Sequence, residues 1–193
     1  MRFVLLLSLT PLLVAADPQF NKPQFNKSGE LIRPASDYRE WIYLTSGVGM
    51  NYASDSSNEK AAFDNVFVAP AAYRAFKATG HWPDHTMFIK EHRQNVTKGS
   101  INKGGHFQGA QVPVLEIAVK ETRRFPDGWG YFVFAKDVPA TKALVGSPGN
   151  CNECHGKNGA VENTFVQFYP TLLEIAKAKG TLRQSYLQSS EAK

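Results

Sequence analysis

The sequence predicts a mainly β (α+β) protein: a single-domain antiparallel sheet with a few short helices. Two observations lead to that class. Several segments alternate apolar and polar residues with the two-residue period of a half-buried strand. Helical periodicity is confined to two short stretches, each opened by a proline and closed by a glycine. Compact sequence begins near Tyr38-Arg39-Glu40-Trp41, and a first strand is expected over Trp41–Gly47. Phe63–Val68 is the next strand, ending just before Pro70. There Ala71, Ala72, Tyr73 and Phe76 continue as a short helix, with Pro at its start and Gly80 just past its end. Thr86–His92 alternates, with Thr86, Phe88, Lys90 and His92 on one face and Met87, Ile89 and Glu91 on the other. Val112–Lys120 alternates too, bringing Leu115, Ile117 and Val119 together, and Tyr131–Phe134 is a short aromatic strand. Thr97–Gly105, rich in Gly, Ser, Asn and Lys, reads as a loop. Phe165, Phe168, Leu172, Leu173 and Ala176 recur at helical spacing. Pro170 limits the firm helix to Pro170–Lys179, and Gly180 stops it.

The N-terminus has the layout of a signal peptide over residues 1–16. Arg2 supplies the positive start, Phe3–Ala15 is almost continuously apolar, and Val14-Ala15-Ala16 offers small residues at a cleavage site. The run is shorter than the roughly 20 residues a spanning helix needs, and no later stretch is longer or more apolar. An exported, periplasmic protein with no membrane span is therefore expected. A mature chain of about 177 residues fits one domain with an adequate core. The formal charge of +5 drops to about +4 without Arg2. Lys and Arg are scattered, with no basic stretch interleaved with aromatics, so nucleic-acid binding is not indicated. A weakly positive surface suits docking to an acidic electron-transfer partner, and equally suits plain solubility. Pro18-Gln19-Phe20-Asn21-Lys22 is repeated at once as Pro23-Gln24-Phe25-Asn26-Lys27. A unit this short is no solenoid repeat, whose periods run to about 20 residues or more. It reads as part of a leader over 17–37, ahead of a domain over 38–180 and a tail over 181–193.

Chemistry is signalled by Cys151-Asn152-Glu153-Cys154-His155. C-x-x-C-H is the spacing that attaches a c-type haem, the thiols adding to the vinyl groups and the imidazole becoming an axial iron ligand. These are the only two cysteines, so neither a disulfide framework nor a four-sulfur site is available. A zinc site would need two ligands from His81, His85, His92 and His106, which lack the usual closely spaced pair. One haem c per chain is expected, bound by Cys151 and Cys154 with His155 on the iron. Beyond the signal segment only Met50 and Met87 remain as thioethers, and Met87 points away from the Lys90 face. This favours an open iron site over a six-coordinate carrier. His92, on the Lys90 face, is the histidine of most interest. Lys90 itself shares a face with Phe88. Either its amine snorkels to solvent from a sheet edge, or it sits neutral and desolvated as a nucleophile beside the haem edge.

Several of these segments together resemble cytochrome P460, over roughly Phe25 to Gly180. They are the haem motif, Phe165-Val166-Gln167-Phe168-Tyr169-Pro170, Tyr38-Arg39-Glu40-Trp41, Val66–Tyr73, and Thr79-Gly80 leading to Thr86–Glu91. The resemblance implies a β-sheet haem protein, usually a homodimer, that oxidises hydroxylamine to nitrous oxide and/or nitric oxide and passes electrons to a c-type cytochrome. It also implies a covalent bond from a lysine nitrogen to a haem meso carbon, and that lysine maps onto Lys90. A distal base would assist proton loss. The segment Val145–Asn150 has no acid where some family members place a carboxylate. Asp64 lies where a related chain has a basic pocket residue, and is the distal-pocket candidate. The related cytochromes c′-β share the fold but bind nitric oxide or carbon monoxide in an apolar pocket without the lysine bond. Phe63, Phe67, Phe88 and Phe132 would either line such a pocket or form ordinary core. A simple electron-transfer cytochrome fits least, because those are helical and need a second axial ligand.

Overall fold

The computed structural model describes residues 22–50, 61–97, 104–144 and 151–191. The expected signal peptide, the first pentapeptide copy up to Asn21, the interior of the 97–105 loop and the segment 145–150 lie outside the described residues. In chain order the elements are β1 (Leu31–Ile32), β2 (Ile42–Val48), β3 (Phe63–Val68), α1 (Pro70–Thr79), β4 (Met87–Arg93), β5 (Asn95–Val96) and β6 (Phe107–Gln108). There follow β7 (Val114–Lys120), β8 (Trp129–Ala135), β9 (Ala140–Thr141), α2 (Cys151–Asn158), α3 (Pro170–Lys179) and α4 (Gln184–Glu191). The main sheet has the order β2-β3-β4-β7-β8 and is antiparallel throughout. Its five strands are the five expected from the sequence, so the mainly β class holds.

Register fixes what each face carries. Val66 pairs with Lys90, Lys90 with Glu116 and Glu116 with Val133. Two residues along, Asp64 pairs with His92. Cross-strand partners share a face, and successive residues alternate. The front face therefore holds Asp64, Val66, Lys90, His92 and Glu116, and the back face holds Phe67, Ile89, Ile117 and Phe132.

The back face is core. Ile89, Leu115, Ile117, Phe132 and Phe134 are buried, and Leu31, Tyr38 and Trp41 are buried with them. Each large apolar side chain so removed from water contributes about 1.5–3 kcal/mol. Glu91 sits within this core, 1 % exposed. It accepts hydrogen bonds from Tyr38 Oη, Arg39 Nε and Arg93 Nε, each at 2.8 Å, and from Asn65 Nδ2 at 3.2 Å. Burial pushes its pKa up, but the bonds from Arg93, Tyr38, Asn65 and Arg39 outweigh that and hold it at about 2. The aromatic pocket of the gas-binding alternative does not assemble, because Phe63, Phe67 and Phe132 turn to the back by strand alternation. Phe88 does face front, but it is core there, with ring centroids of Trp82, Trp129 and Tyr169 at 4.8, 5.9 and 6.2 Å.

One end of the front face is covered by α1 and α3. Phe76 of α1 packs on Trp82 at 4.1 Å, and Leu172 and Ala176 of α3 are buried. Both helices start at proline, and both stop at a glycine in the left-handed conformation, Gly80 at φ 77° and Gly180 at φ 67°. The fold extends past both expected boundaries. Within the leader, Leu31 is fully buried and β1 pairs with β9. Phe25, from the second pentapeptide copy, bridges to Leu31 and packs 6.1 Å from Phe132, with the Arg124 guanidinium 3.9 Å over its ring. Two-residue pairings like β1–β9 are too short to show a period. At the other end α4 lies in the expected tail, and Arg183 donates to the carbonyl of Gly156 at the end of α2.

Candidate functional site

The haem motif forms α2, a helix the periodicity did not announce because its roughly two turns carry no apolar stripe. Helical spacing places Cys151, Cys154 and His155 at i, i+3 and i+4, so both thiols and the imidazole share one face. Both cysteines are free and half-buried. Asn152 Nδ2 pins the helix to β8 by donating to the Trp129 carbonyl at 3.2 Å. Gly159 ends it under a constraint: a Cβ there would lie 2.7 Å from the His155 carbonyl oxygen and 2.8 Å from the Thr164 nitrogen.

His155 is fixed on three sides. Its ring lies between Tyr131 and Phe165, with centroids at 4.4 and 4.3 Å. Its Nδ1 is 2.9 Å from the Asn163 carbonyl oxygen. A carbonyl only accepts, so the partner assigns the proton to Nδ1 and leaves the Nε2 lone pair for a metal. Burial pushes the His155 pKa down, which keeps the ring neutral and competent to ligate. Burial, then the nearby Glu116 charge, pushes the Cys151 thiol up.

Beyond α2 the other end of the front face carries four charged groups in a row. Lys90 Nζ is 2.8 Å from Glu116 Oε2. His92 Nε2 is 2.8 Å from Glu116 Oε1, and His92 Nδ1 is 2.7 Å from Asp64 Oδ1. The contact to Asp64 is an ion pair out of line for N–H donation, and Asp64 Oδ1 is buried without another partner. With a carboxylate at each nitrogen the imidazole is held as imidazolium: Asp64, then Glu116, push its pKa up to about 9. Burial would raise Glu116, but His92 and Lys90 reverse that and hold it at about 2. Lys90 and Glu116 also act on His155 and Cys151 through space, so the row and α2 share one electrostatic environment.

The structure thus brings Lys90, Asp64 and His92 together on the face beside Cys151, Cys154 and His155. Met87 faces the back and is buried, as its alternation predicts. Met50 lies against Gly47 on the outer strand β2. Glu116 is the site residue that sequence reasoning missed. The signal was present, since alternation with Leu115 and Ile117 sends Glu116 to the opposite, Lys90-bearing face. Asn163 had no comparable signal. Among the described residues no group of three or more His, Cys, Asp and Glu is placed to hold a metal ion.

Two thiols and a neutral imidazole on one helical face, with a tautomer set by a backbone carbonyl, fit a haem held by thioethers and a proximal histidine. An antiparallel sheet carrying that motif defines a β-sheet c-type haem protein. The cytochrome P460 family model matches residues 35–166, most of the chain, and the chain belongs to the cytochrome P460 family. No curated protein matches it.

Proposed function

We propose that this chain is a periplasmic haem enzyme that oxidises hydroxylamine to nitrous oxide, nitric oxide or both, with Lys90 bonded to the macrocycle. The observation that carries this reading is the cross-strand pair of Lys90 and Glu116. An amine and a carboxylate are held 2.8 Å apart on the sheet face beside the haem motif. Haem c, when bound, supplies an iron able to take electrons from a nitrogen substrate. The side chains supply the rest. Cys151 and Cys154 hold the macrocycle, and His155 offers Nε2 to the iron. Lys90 is a primary amine, nucleophilic once its proton is lost to Glu116 Oε2, the acceptor at hand. The new N–C bond replaces an N–H bond and the meso C–H bond, whose hydrogens leave as protons while two electrons pass to an oxidant of the peroxide class. Bonding Lys90 removes one of the two cations that hold Glu116 at about 2, so the carboxylate becomes a stronger base with Oε2 released. Hydroxylamine loses protons as it is oxidised. Glu116 accepts them, while His92, braced by Asp64, holds Oε1 in place. Electrons leave to a c-type cytochrome, and the working unit is a homodimer. A gas-binding role has less support, because three of its four candidate phenylalanines face the back.

The test is the optical spectrum of the reduced holoprotein with mass mapping of its haem peptides. A Soret band far to the red, and a Lys90 peptide joined to the Cys151–His155 peptide, are expected. Lys90→Ala should return an ordinary c-type spectrum, keep both thioethers and nitric oxide binding, and lose most hydroxylamine oxidation. An ordinary wild-type spectrum with the Lys90 peptide unattached overturns the proposal in favour of gas binding.

A further inference from the structure

The turn behind His155 holds one residue ill suited to it. Val161 and Thr164 pair across two residues, Glu162 at φ 46° and Asn163 at φ 61°. Such a turn, with both central residues left-handed, favours Asn, Asp or Gly. Asn163 suits it, but a glutamate seldom adopts that conformation. Contacts from elsewhere hold it there. Glu162 Oε2 is 2.6 Å from Lys120 Nζ, which also donates to the Trp82 carbonyl at 2.6 Å. Glu162 Oε1 is 2.8 Å from His81 Nδ1. Thr164 Oγ1 accepts from Trp82 Nε1 at 3.0 Å and donates to the Val161 carbonyl at 2.6 Å. Lys120 is 15 % and Glu162 24 % exposed, so solvent screens this pair less than a surface pair.

The product of all this is the position of one oxygen. The Asn163 carbonyl accepts a hydrogen bond from His155 Nδ1–H at 2.9 Å and lies 3.4 Å from the Tyr131 hydroxyl. We infer that Lys120 and Glu162 are positioning residues: they clamp the 161–164 turn so that the Asn163 carbonyl bears on His155 and sets how strongly the imidazole donates to iron. The inference rests on the reading of His155 as the axial ligand. A hydrogen bond accepted from the second ring nitrogen raises ligand basicity. A firm clamp therefore strengthens the iron–histidine bond and favours oxidised iron, and a loosened one does the reverse.

Two variants release the clamp from opposite sides. Lys120→Met removes the cation. Glu162→Gly removes the carboxylate while making the left-handed turn easier to form, so it separates the clamp from the backbone conformation. In the ferrous holoprotein both should move the iron–histidine stretching band of the resonance Raman spectrum to lower frequency. Both should shift the iron reduction equilibrium towards the reduced form by about tenfold, which is about 59 mV for one electron. The double variant should shift by less than the sum of the two single shifts, because both break the Lys120–Glu162 pair. Should Lys120→Met not load haem, Glu162→Gln carries the test, with a smaller shift in the same direction expected. Variants that lose stability but leave band and potential unmoved would overturn the clamp and leave the haem reading intact. A wild-type holoprotein without an iron–histidine band would instead remove the haem reading itself.

Discussion

Replacing Glu91 by Gln should destabilise the protein at neutral pH and remove much of its sensitivity to acid. Glu91 is 1 % exposed and holds two arginines, a tyrosine and an asparagine by the bonds described above. Its pKa falls from an ordinary value near 4.5 to about 2 on folding. Because the folded value is the lower one, the stabilisation is fully present above about pH 4.5 and is lost as pH falls through 2. At 1.36 kcal/mol per pH unit of difference this is about 3 kcal/mol. Breaking a buried charge network by truncating one partner costs a similar amount, about 3–5 kcal/mol. Urea unfolding followed by tryptophan fluorescence, at a series of pH values from 7 to 2, measures it. Wild type and Glu91→Gln should differ by about 3 kcal/mol at pH 7 and converge to within about 1 kcal/mol at pH 2. A difference that stays constant with pH would show that Glu91 acts through packing, and equal stability at pH 7 would refute the account altogether.

Glu116→Gln should lower hydroxylamine oxidation about 100-fold, the lower range for loss of a positioned base, while leaving nitric oxide binding in place; turnover at the wild-type level would take the proton-accepting role away from Glu116. His92 has a raised folded pKa, so its contribution is fully present below pH 6.5 and is lost as pH rises through about 9. Allowing for solvent at the partly exposed Glu116, stability should decline by roughly 2 kcal/mol across that window, and His92→Gln should flatten the decline; a slope that survives the substitution belongs to another group. Cys151→Ala and Cys154→Ala should each compromise covalent haem, read by haem staining after denaturing electrophoresis, and full covalent haem in the double variant would contradict the assignment. His155→Ala should change the ligand-binding spectrum with the thioether residues still present; an unchanged spectrum and activity would point to another iron ligand.

The main sheet was legible because burial on one face writes itself as alternation and burial on both as a short apolar run, and α1 and α3 because Pro and Gly mark their ends. Short pairings carry no such mark. Leu31 and Phe25 are held by residues about a hundred positions away, so the leader looked detached while half of it lies in the fold. The site divides the same way. Cys151, Cys154 and His155 follow from spacing. Lys90, His92 and Asp64 follow from strand faces and the resemblance, and Glu116 was within reach of the same alternation. The Asn163 carbonyl and its Lys120–Glu162 support arise only when β7, the Trp82 loop and the 161–164 turn meet, and nothing local in the sequence encodes that meeting.

The seat of Phe25 against Phe132 and Arg124 gives the duplicated pentapeptide a mechanical meaning. The two copies are identical, so deleting 18–22 or deleting 23–27 yields one and the same polypeptide. In either case a phenylalanine remains at the spacing from Leu31 that Phe25 has now. Loss of either unit therefore leaves the seat against Phe132 and Arg124 filled by the same residue type, at the same distance along the chain from Leu31.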